Sequence, residues 1–363
     1  MRSIVKYIDE YRDGAVAQAL SNKINSVSTR RLRLMEICGT HTMAVFRHGI
    51  RSLLPETIEL ISGPGCPVCV TAVEEIDRAV KLARLQGVIV ASFGDMLRVP
   101  GSESSLQEAR AEGAGVKMVY STFDALKIAQ KNRDQEVAFL GIGFETTAPT
   151  VAAAIKTAFE GKLTNFSVLS AHKLLPPAMD ALLSAGDLGI DGFICPGHVT
   201  TIIGTSSYQR VVERYNTPCV VVGFEPLDIL QGILMLVEQI EGGRAEVEIQ
   251  YSRGATAEGN PWALRMMGEV FEPCDSRWRG LGVIPESGLA IREAFSDLDA
   301  ATRFDLEVPP AKEPAGCRCA EILTGTLRPV DCGLYGRVCS PRTPIGPCMV
   351  SSEGACAAYY KYD

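Results

Sequence analysis

The chain has 363 residues, of which 46% are hydrophobic and 22% charged, and its net charge is −7. This composition is ordinary for a globular protein of two or three domains, and the scattered Lys and Arg residues argue against nucleic acid as the main partner. No apolar stretch reaches the roughly 18 residues that a membrane helix needs, and the charged N-terminus lacks a signal-peptide core. We therefore expect a cytoplasmic protein with no membrane partner, in which cysteines serve metal or redox chemistry.

Residues 1–30 are predicted to form a helical N-terminal segment. After them, apolar runs of strand length alternate with helix-like stretches. Eight runs are predicted as strands, at 33–38, 58–62, 88–92, 116–120, 137–140, 166–169, 192–195 and 219–222. They begin roughly 21–30 residues apart, the length of a βα unit, and continuous apolar strands are typical of parallel sheets covered by helices on both faces.

Eight units could close into a single barrel. We favour instead an α/β fold with two similar parallel-sheet domains, residues 31–135 and 136–243, on either side of a central cleft. The pattern changes at residue 244, where a short strand at 245–249 is followed by Pro- and Gly-rich turns. Residues 244–363 are predicted to form a C-terminal iron–sulfur domain.

Two cysteine motifs follow the first two predicted strands, at the end where parallel sheets bind ligands. Cys38-Gly-Thr-His41 puts a thiol and an imidazole in one turn. The pair suits iron or copper, but His41 could instead be a base to Cys38, or the pair could be structural. Cys66 and Cys69 form a CxxC, predicted as a redox dithiol with a thiol pKa lowered by a following helix N-terminus. The alternative is half of a zinc site.

Further polar residues follow later strands. The turn at 141–146 resembles a dinucleotide-binding fingerprint whose third glycine is replaced by threonine, which is a weak match. Each polar residue here could also be an ordinary turn residue. The candidates that we expect in the cleft are Glu145, Thr146, Thr147, His172 and His198.

Six of the twelve cysteines crowd into about the last fifty residues, among glycines and prolines. Four thiolates can ligate a [4Fe–4S] cluster, and two more could form a dithiol–disulfide beside it. A structural zinc site is the alternative, although its usual paired CxxC knuckles are missing. The six are Cys317, Cys319, Cys332, Cys339, Cys348 and Cys356.

Five motifs, in order along nearly the whole chain, resemble the hydrogenase maturation protein HypD family. They are Cys-Gly-Thr-His at 38–41, Gly-Pro-Gly-Cys-Pro-Val-Cys at 63–69, Gly-Phe-Glu-Thr-Thr-Ala-Pro at 143–149, Pro-Gly-His-Val at 196–199, and a tail running from Cys-Arg-Cys-Ala-Glu-Ile-Leu to Gly-Pro-Cys-Met-Val.

The resemblance implies a scaffold on which the Fe(CN)2CO moiety of [NiFe]-hydrogenase is assembled, with redox-active thiols, rather than a conventional turnover enzyme. The implied partners are the small chaperone HypC and HypE, which delivers cyanide as a C-terminal thiocyanate after carbamoyl transfer by HypF. The hydrogenase large subunit would be an indirect partner.

The resemblance also implies roles for individual residues. Cys38 would bind the iron, assisted by His41, and Cys66 and Cys69 would be a dithiol–disulfide pair. The tail is similar to the cluster site of ferredoxin–thioredoxin reductase. By that likeness, the ligands of the [4Fe–4S] cluster would be Cys317, Cys332, Cys339 and Cys356. Cys319 and Cys348 would then form a second redox disulfide. Some members carry Glu-His after the first motif where this chain has Thr42-Met43, so no proton-transfer acid is expected there.

Two other functions remain open at this point. A ferredoxin-linked oxidoreductase of the disulfide-reductase kind would pass electrons from the cluster to a protein disulfide, and would turn over disulfides without binding a cyanide-bearing iron. A nucleotide-binding enzyme using the glycine turn at 141–143 would show saturable nucleotide binding that is lost on changing Gly143.

Overall fold

The computed structural model describes residues 9–186 and 188–362. Eleven strands lie in these residues: β1 (Leu32–Glu36), β2 (Ile58–Ser62), β3 (Val88–Ser92), β4 (Val116–Met118), β5 (Glu136–Gly141), β6 (Phe166–Ser170), β7 (Gly192–Pro196), β8 (Cys219–Val222), β9 (Val247–Ile249), β10 (Phe271–Trp278) and β11 (Gly282–Ile291). All eight predicted strands, and the short one after residue 244, are therefore confirmed.

The α-helices of the described residues are α1 (Gly14–Val27), α2 (Gly39–Arg47), α3 (Pro67–Val70), α4 (Val73–Ala83), α5 (Leu106–Ala111), α6 (Thr122–Lys131), α7 (Ala148–Glu160), α8 (Leu175–Ser184), α9 (Gly197–Ile203), α10 (Gln209–Tyr215), α11 (Pro226–Glu241), α12 (Pro261–Val270), α13 (Ala300–Arg303), α14 (Cys319–Leu323) and α15 (Ala355–Tyr362). Short 3-10 helices occur at Asp9–Tyr11, Ile50–Leu53, Gly94–Arg98, Thr205–Tyr208, Glu293–Leu298, Pro329–Asp331 and Pro347–Met349. None of these helices is long and apolar enough to cross a membrane.

The strands form two parallel sheets and one antiparallel hairpin, β10–β11. The first sheet has the order β2-β1-β7-β8-β9 and the second the order β4-β3-β5-β6. Central strands such as β3, β7 and β8 are buried along their whole length, which explains their continuous apolar sequence. The predicted α/β fold with parallel sheets is confirmed, and the strands divide into two α/β units.

The two sheets do not follow the predicted division between residues 135 and 136. The chain leaves the first sheet after β2, builds the whole second sheet from β3 to β6, and then returns to the first sheet with β7. Spacing along the chain shows where strands lie, but neighbours in sequence are neighbours in a sheet only part of the time. The second boundary, at residue 244, is also crossed, because β9 pairs with β8.

The residues after β9 pack onto both units instead of standing apart. The hairpin contributes Phe271, Leu289 and Ile291 to the core around the second sheet. The tail cysteines Cys319 and Cys348 share a core with the first-sheet residue Met35. The predicted C-terminal domain is therefore not a separate core in this structure.

The N-terminal helix prediction is confirmed by α1, which begins after Asp13. The Asp13 Oδ1 atom accepts a hydrogen bond from the Ala15 N–H at 2.8 Å, satisfying one of the free donors of the first turn. Ile24 packs from α1 into the core beneath α11. Residues 1–8 of the predicted segment lie outside the described residues.

Candidate functional site

A cleft of about 440 Å³ opens where the strands of the two units end. It is lined by the turn after β2, which contains Cys66, by the turns after β3 and β5, and by the tail at Ser351–Glu353. Parallel sheets direct the carboxyl ends of their strands to one edge, which is why loops distant in sequence meet here. The tail wall of this cleft was not predicted from the sequence.

The Cys38 turn and the CxxC turn pack directly against each other. The Gly39 N–H donates to the Gly65 carbonyl at 3.0 Å, and a Cβ atom on Gly65 would lie 2.1 Å from the Cys38 nitrogen. Only glycine permits this approach. The structure therefore brings Cys38 and Cys66 into adjacent turns, although Cys66 lines the cleft and Cys38 is buried beside it.

The Cys38 thiol is strongly biased toward its neutral form. Burial raises the pKa of Cys38 to about 12; the Glu353 carboxylate adds to the rise, whereas hydrogen bonds from the backbone of His41 and Thr40 oppose it. A cation that binds this sulfur must displace its proton, and its charge would remove the bias. Cys38 is therefore not a free thiolate nucleophile in this environment.

Glu353 is a site residue that the sequence reasoning missed. Its Oε1 atom accepts a hydrogen bond from the Thr40 hydroxyl at 2.7 Å, and its backbone lies against Gly39. The sequence puts it between two tail cysteines, where the polar run Ser351-Ser-Glu353 was the available signal. Residues 42 and 43 of the Cys38 turn are Thr and Met, so the turn itself has no acidic residue there. The tail residue Glu353 places a carboxylate beside this turn instead.

The His41 imidazole is hydrogen-bonded at the end of β8. Its Nε2 atom lies 2.9 Å from the Gly223 carbonyl and 3.2 Å from that of Val222, so Nε2 carries the proton. Burial lowers the pKa of His41 to about 4, and Nδ1 is buried with no hydrogen-bond partner. His41 therefore contacts the Cys38 thiol through its backbone, and its side chain supports the end of β8.

His198 lies on the same Phe224 ring as His41. The Phe224 ring centroid is 4.7 Å from that of His41 and 5.0 Å from that of His198. Burial lowers the pKa of His198 to about 4, and its Nδ1 atom also has no partner. The structure brings these two predicted residues together at the end of the first sheet.

Of the other residues predicted in the cleft, the structure places only Thr147 in its lining. Thr147 lines the cleft, whereas Thr146 lies in the same turn without contributing to the lining. Glu145 turns to the start of α8, where its Oε1 atom accepts a hydrogen bond from the Leu175 N–H at 2.8 Å. His172 is buried in the second unit beside the Ser170 hydroxyl, at 3.1 Å.

The CxxC turn contains the single-turn helix α3. Cys66 precedes it and Cys69 lies inside it, fully buried. The predicted lowering of a thiol pKa by a helix N-terminus is not found at Cys69, whose pKa burial raises well above the usual range. A helix of four residues has too few aligned peptide dipoles to offset burial.

A series of neighbouring cysteine thiols runs from the CxxC turn into the tail. The Cys66 and Cys348 thiols lie close enough to Cys69 to shift its pKa. The pKa of Cys348, which is also fully buried, is shifted in the same way by Cys319 and Cys356. The Sγ atoms of Cys319 and Cys317 are 3.3 Å apart. Sulfur atoms that neighbour one another in this way can exchange disulfides without a mobile carrier.

Five tail thiols line one small cavity, those of Cys317, Cys319, Cys332, Cys339 and Cys356. They include all four residues that the family resemblance assigns to a cluster. Gly346 closes one wall, where a Cβ atom would lie 2.5 Å from the Cys317 sulfur. The Ile345 N–H donates to the Cys339 sulfur at 3.4 Å. Cys348 is not part of the lining.

The close cysteine groups of the tail are compatible with binding a metal or a cluster. Among residues 9–186 and 188–362, no three Cys, His, Asp or Glu side chains are arranged to hold one ion. The thiols come from separate turns and surround a space, and a backbone N–H points to a sulfur, as is common around iron–sulfur clusters. A tetrahedral zinc site would need four ligand atoms that coordinate one metal ion.

Comparisons with known proteins indicate the same family over nearly the whole chain. The family model described as "HypD: Hydrogenase formation hypA family" matches residues 15–363. The hydrogenase maturation factor HypD of Azotobacter vinelandii is 53% identical over 99% of this chain and 97% of its own length. That of Cupriavidus necator is 48% identical over the same shares. A putative hydrogenase expression/formation protein of Methanocaldococcus jannaschii is 44% identical over 96% of this chain and 98% of its own.

The family match and the full-length relatives agree with the five motifs, and the structure places two of those motifs, at 63–69 and 143–149, in the lining of one cleft. The chain belongs to the HypD family.

Proposed function

We propose that this chain is a hydrogenase maturation factor that holds an iron substrate while its diatomic ligands are added, and that it supplies electrons for that step through thiols. The observation that carries the proposal is the series of neighbouring cysteine thiols from Cys66 to Cys317. Such a series joins the cleft to a cysteine-lined cavity. A protein that only bound a partner would not need a series of thiols between the cleft and the cavity.

The iron substrate would bind at Cys38, together with the partner HypC. What supports this site is a buried thiol with a raised pKa, whose proton a metal ion would replace. Glu353 lies beside it, hydrogen-bonded to Thr40, and can take up the released proton. The neutral imidazoles of His41 and His198 shape the neighbouring wall.

Cyanide would arrive as a thiocyanate at the C-terminus of HypE, upstream of which HypF acts. The open cleft beside Cys66 has room for the end of an extended chain. One cysteine thiolate attacks the thiocyanate sulfur, and cyanide leaves with the electrons of the broken S–C bond. The second cysteine then attacks the mixed disulfide. Two thiols thus become the Cys66–Cys69 disulfide, and the products are a HypE thiol and cyanide for the iron.

The disulfide must be reduced again before another cyanide is delivered. Cys348 neighbours Cys69, and Cys319 neighbours Cys348, so a Cys319–Cys348 dithiol can pass two electrons by exchange. A [4Fe–4S] cluster held by Cys317, Cys332, Cys339 and Cys356 would supply single electrons from an outside donor. Reduced thiols of this kind persist in the cytoplasm, where we place the protein.

Infrared spectroscopy of the full chain copurified with HypC tests the proposal. We expect bands of iron-bound cyanide and carbon monoxide, and their loss when Cys38 is replaced by alanine. Turnover of protein disulfides with ferredoxin, without such bands, would instead support the oxidoreductase alternative. A complex with neither bands nor extra iron would refute the scaffold function.

A further inference from the structure

The lining of the cleft carries negative charge and no positive charge. Its charged residues are Asp95, in the turn after β3, and Glu353, in the tail. Among the described residues, no Lys, Arg or His side chain belongs to this lining, and its other members are apolar or uncharged, as at Phe93 and Ile142. In a concave site, charges of one sign focus a potential that selects the charge of whatever enters.

Neither carboxylate is closely neutralised by the protein itself. The Asp95 side chain is 43% exposed, and its Oδ1 atom lies 3.4 Å from Nη2 of Arg98. The same Nη2 atom donates to the Val350 carbonyl at 2.8 Å, a shorter contact. Glu353 accepts a hydrogen bond from the Thr40 hydroxyl and has no ion pair within the part of the chain that the structure describes. Both negative charges are therefore available to a ligand in the cleft.

One wall of the cleft contains a position where only glycine fits. Gly143 adopts a φ of +142°, and a Cβ atom there would lie 1.7 Å from the Thr147 Oγ1 atom. A glycine in the lining presents backbone instead of a side chain, which leaves room for another backbone to approach closely. The shape of the cleft therefore suits the end of an extended peptide.

A C-terminus that delivers a thiocyanate brings a negative charge of its own, the terminal carboxylate. In the cleft this group would face Asp95 and Glu353, and such like-charge contacts oppose binding. A Lys or Arg side chain close to the terminal residue reverses the balance, because its cation is attracted to either carboxylate of the lining. An acidic residue at the same place adds to the repulsion, so the two kinds of peptide are distinguished.

We propose that Asp95 and Glu353 select the cyanide donor by charge: the cleft takes an extended C-terminal peptide with a Lys or Arg within its last three residues and rejects acidic ends. The inference rests on the proposed function, in which such a C-terminus enters this cleft. The two carboxylates change no bond during cyanide transfer. A cysteine thiolate attacks the thiocyanate sulfur, a mixed disulfide forms, and cyanide leaves with the electron pair of the S–C bond.

Two synthetic hexapeptides test this selection with the full chain, which is first reduced with dithiothreitol and then freed of it. Both peptides end in an S-cyanylated cysteine, and they carry lysine or glutamate two residues before it, on the same side of an extended chain as the sulfur. The rate of cyanide release is measured at pH 7. At low ionic strength we expect the lysine peptide to react about tenfold faster, and added salt to reduce the difference. Equal rates would overturn the proposal.

Removing one carboxylate of the lining should weaken the preference for lysine. We expect Asp95→Asn and Glu353→Gln each to lower the ratio of the two rates several-fold, chiefly by slowing the lysine peptide. Asp134→Asn is the matched control, because Asp134 is exposed and precedes β5, at the end of the sheet opposite to the cleft. The same loss in the control would contradict a local effect of the lining.

Adding a cation to the lining gives a test that does not depend on removing any contact. Ser352 is exposed, lines the cleft and makes no side-chain hydrogen bond within the described residues. Ser352→Lys should abolish or reverse the preference, and an unchanged preference would overturn the proposal even if Asp95→Asn fails to fold. Cyanide release from neither peptide by the parent would refute cyanide delivery itself, and this inference with it. Equal release from both would refute the charge selection alone.

Discussion

The thiol of Cys69 in the CxxC turn neighbours the thiol of Cys348 in the tail, and each shifts the pKa of the other. Both are fully buried, and the Cys69 sulfur also lies 3.9 Å from the Pro347 carbonyl. Two motifs at opposite ends of the sequence are therefore one site. This proximity offers a route for electrons to Cys69, the buried half of the dithiol.

Replacing Cys348 with alanine should interrupt this series of thiols. We expect the variant to keep its iron and sulfide, because Cys348 does not line the cavity. Reduction of the Cys66–Cys69 disulfide by reduced methyl viologen should slow at least about tenfold, since exchange requires adjacent sulfur atoms. Quenched thiol labelling measures the rate. Cys274→Ala, a half-buried thiol on the hairpin, is the control and should leave the rate unchanged. A parent-like rate in Cys348→Ala would contradict the relay.

Replacing Cys38 with alanine should separate iron binding from the cluster. Its turn packs on Gly65, and it is not one of the residues that line the tail cavity. We expect the visible absorption of the cluster to remain and hydrogenase maturation in cells to be abolished. Normal maturation with Cys38→Ala would exclude this residue as the iron ligand.

Serine substitutions should identify the fourth cluster ligand. Cys317 and Cys319 both line the cavity, but Cys319 is the one whose pKa is shifted by the neighbouring Cys348 thiol. We therefore expect Cys317→Ser to lose most iron and acid-labile sulfide, and Cys319→Ser to retain them. Chemical analysis of anaerobically purified protein gives the answer. The opposite result would exchange the two roles.

Adding a methyl group at Gly346 should disturb the cavity. Its Cβ atom would lie 2.5 Å from the Cys317 sulfur and 2.7 Å from the Cys319 sulfur, closer than non-bonded atoms allow. We expect Gly346→Ala to lower cluster content at least about threefold, an effect comparable to losing a supporting contact of a metal site. Gly333→Ala, where a Cβ atom meets nothing within 4 Å, is the control. Equal losses in both variants would show that the tail is sensitive to any change.

The buried carboxyl of Glu145 should make stability depend on pH. Burial raises its pKa from 4.5 to about 7, so the folded carboxyl keeps a proton that the unfolded one loses. Its contribution to stability is present at low pH and is lost as pH rises through that window. The full effect is about 3 kcal/mol above pH 7, because one pKa unit equals about 1.4 kcal/mol.

Glu145→Gln should remove this dependence, since glutamine does not ionise and its oxygen can still accept the Leu175 N–H bond. Relative to the parent, the urea midpoint of the variant should rise between pH 5 and pH 8. The exposed Glu258 provides the control Glu258→Gln. The same trend in both variants would mean that burial of Glu145 is not the cause.

The sequence alone determined the local elements of this protein and its reactive residue types. Buried parallel strands need continuous apolar runs, so β1 to β8 could be predicted from the sequence. Turns such as Gly63–Cys69 need glycine where two backbones meet. Clustered tail cysteines likewise indicated sulfur chemistry.

Only the tertiary structure decided which of these pieces meet. It joined β2 and β7 to opposite sides of β1, which strand spacing does not encode. It turned the His41 ring toward the Gly223 carbonyl, and brought Glu353 to the Cys38 turn. Contacts between residues far apart in sequence depend on how buried surfaces pack in three dimensions, which a periodic pattern along one chain does not specify.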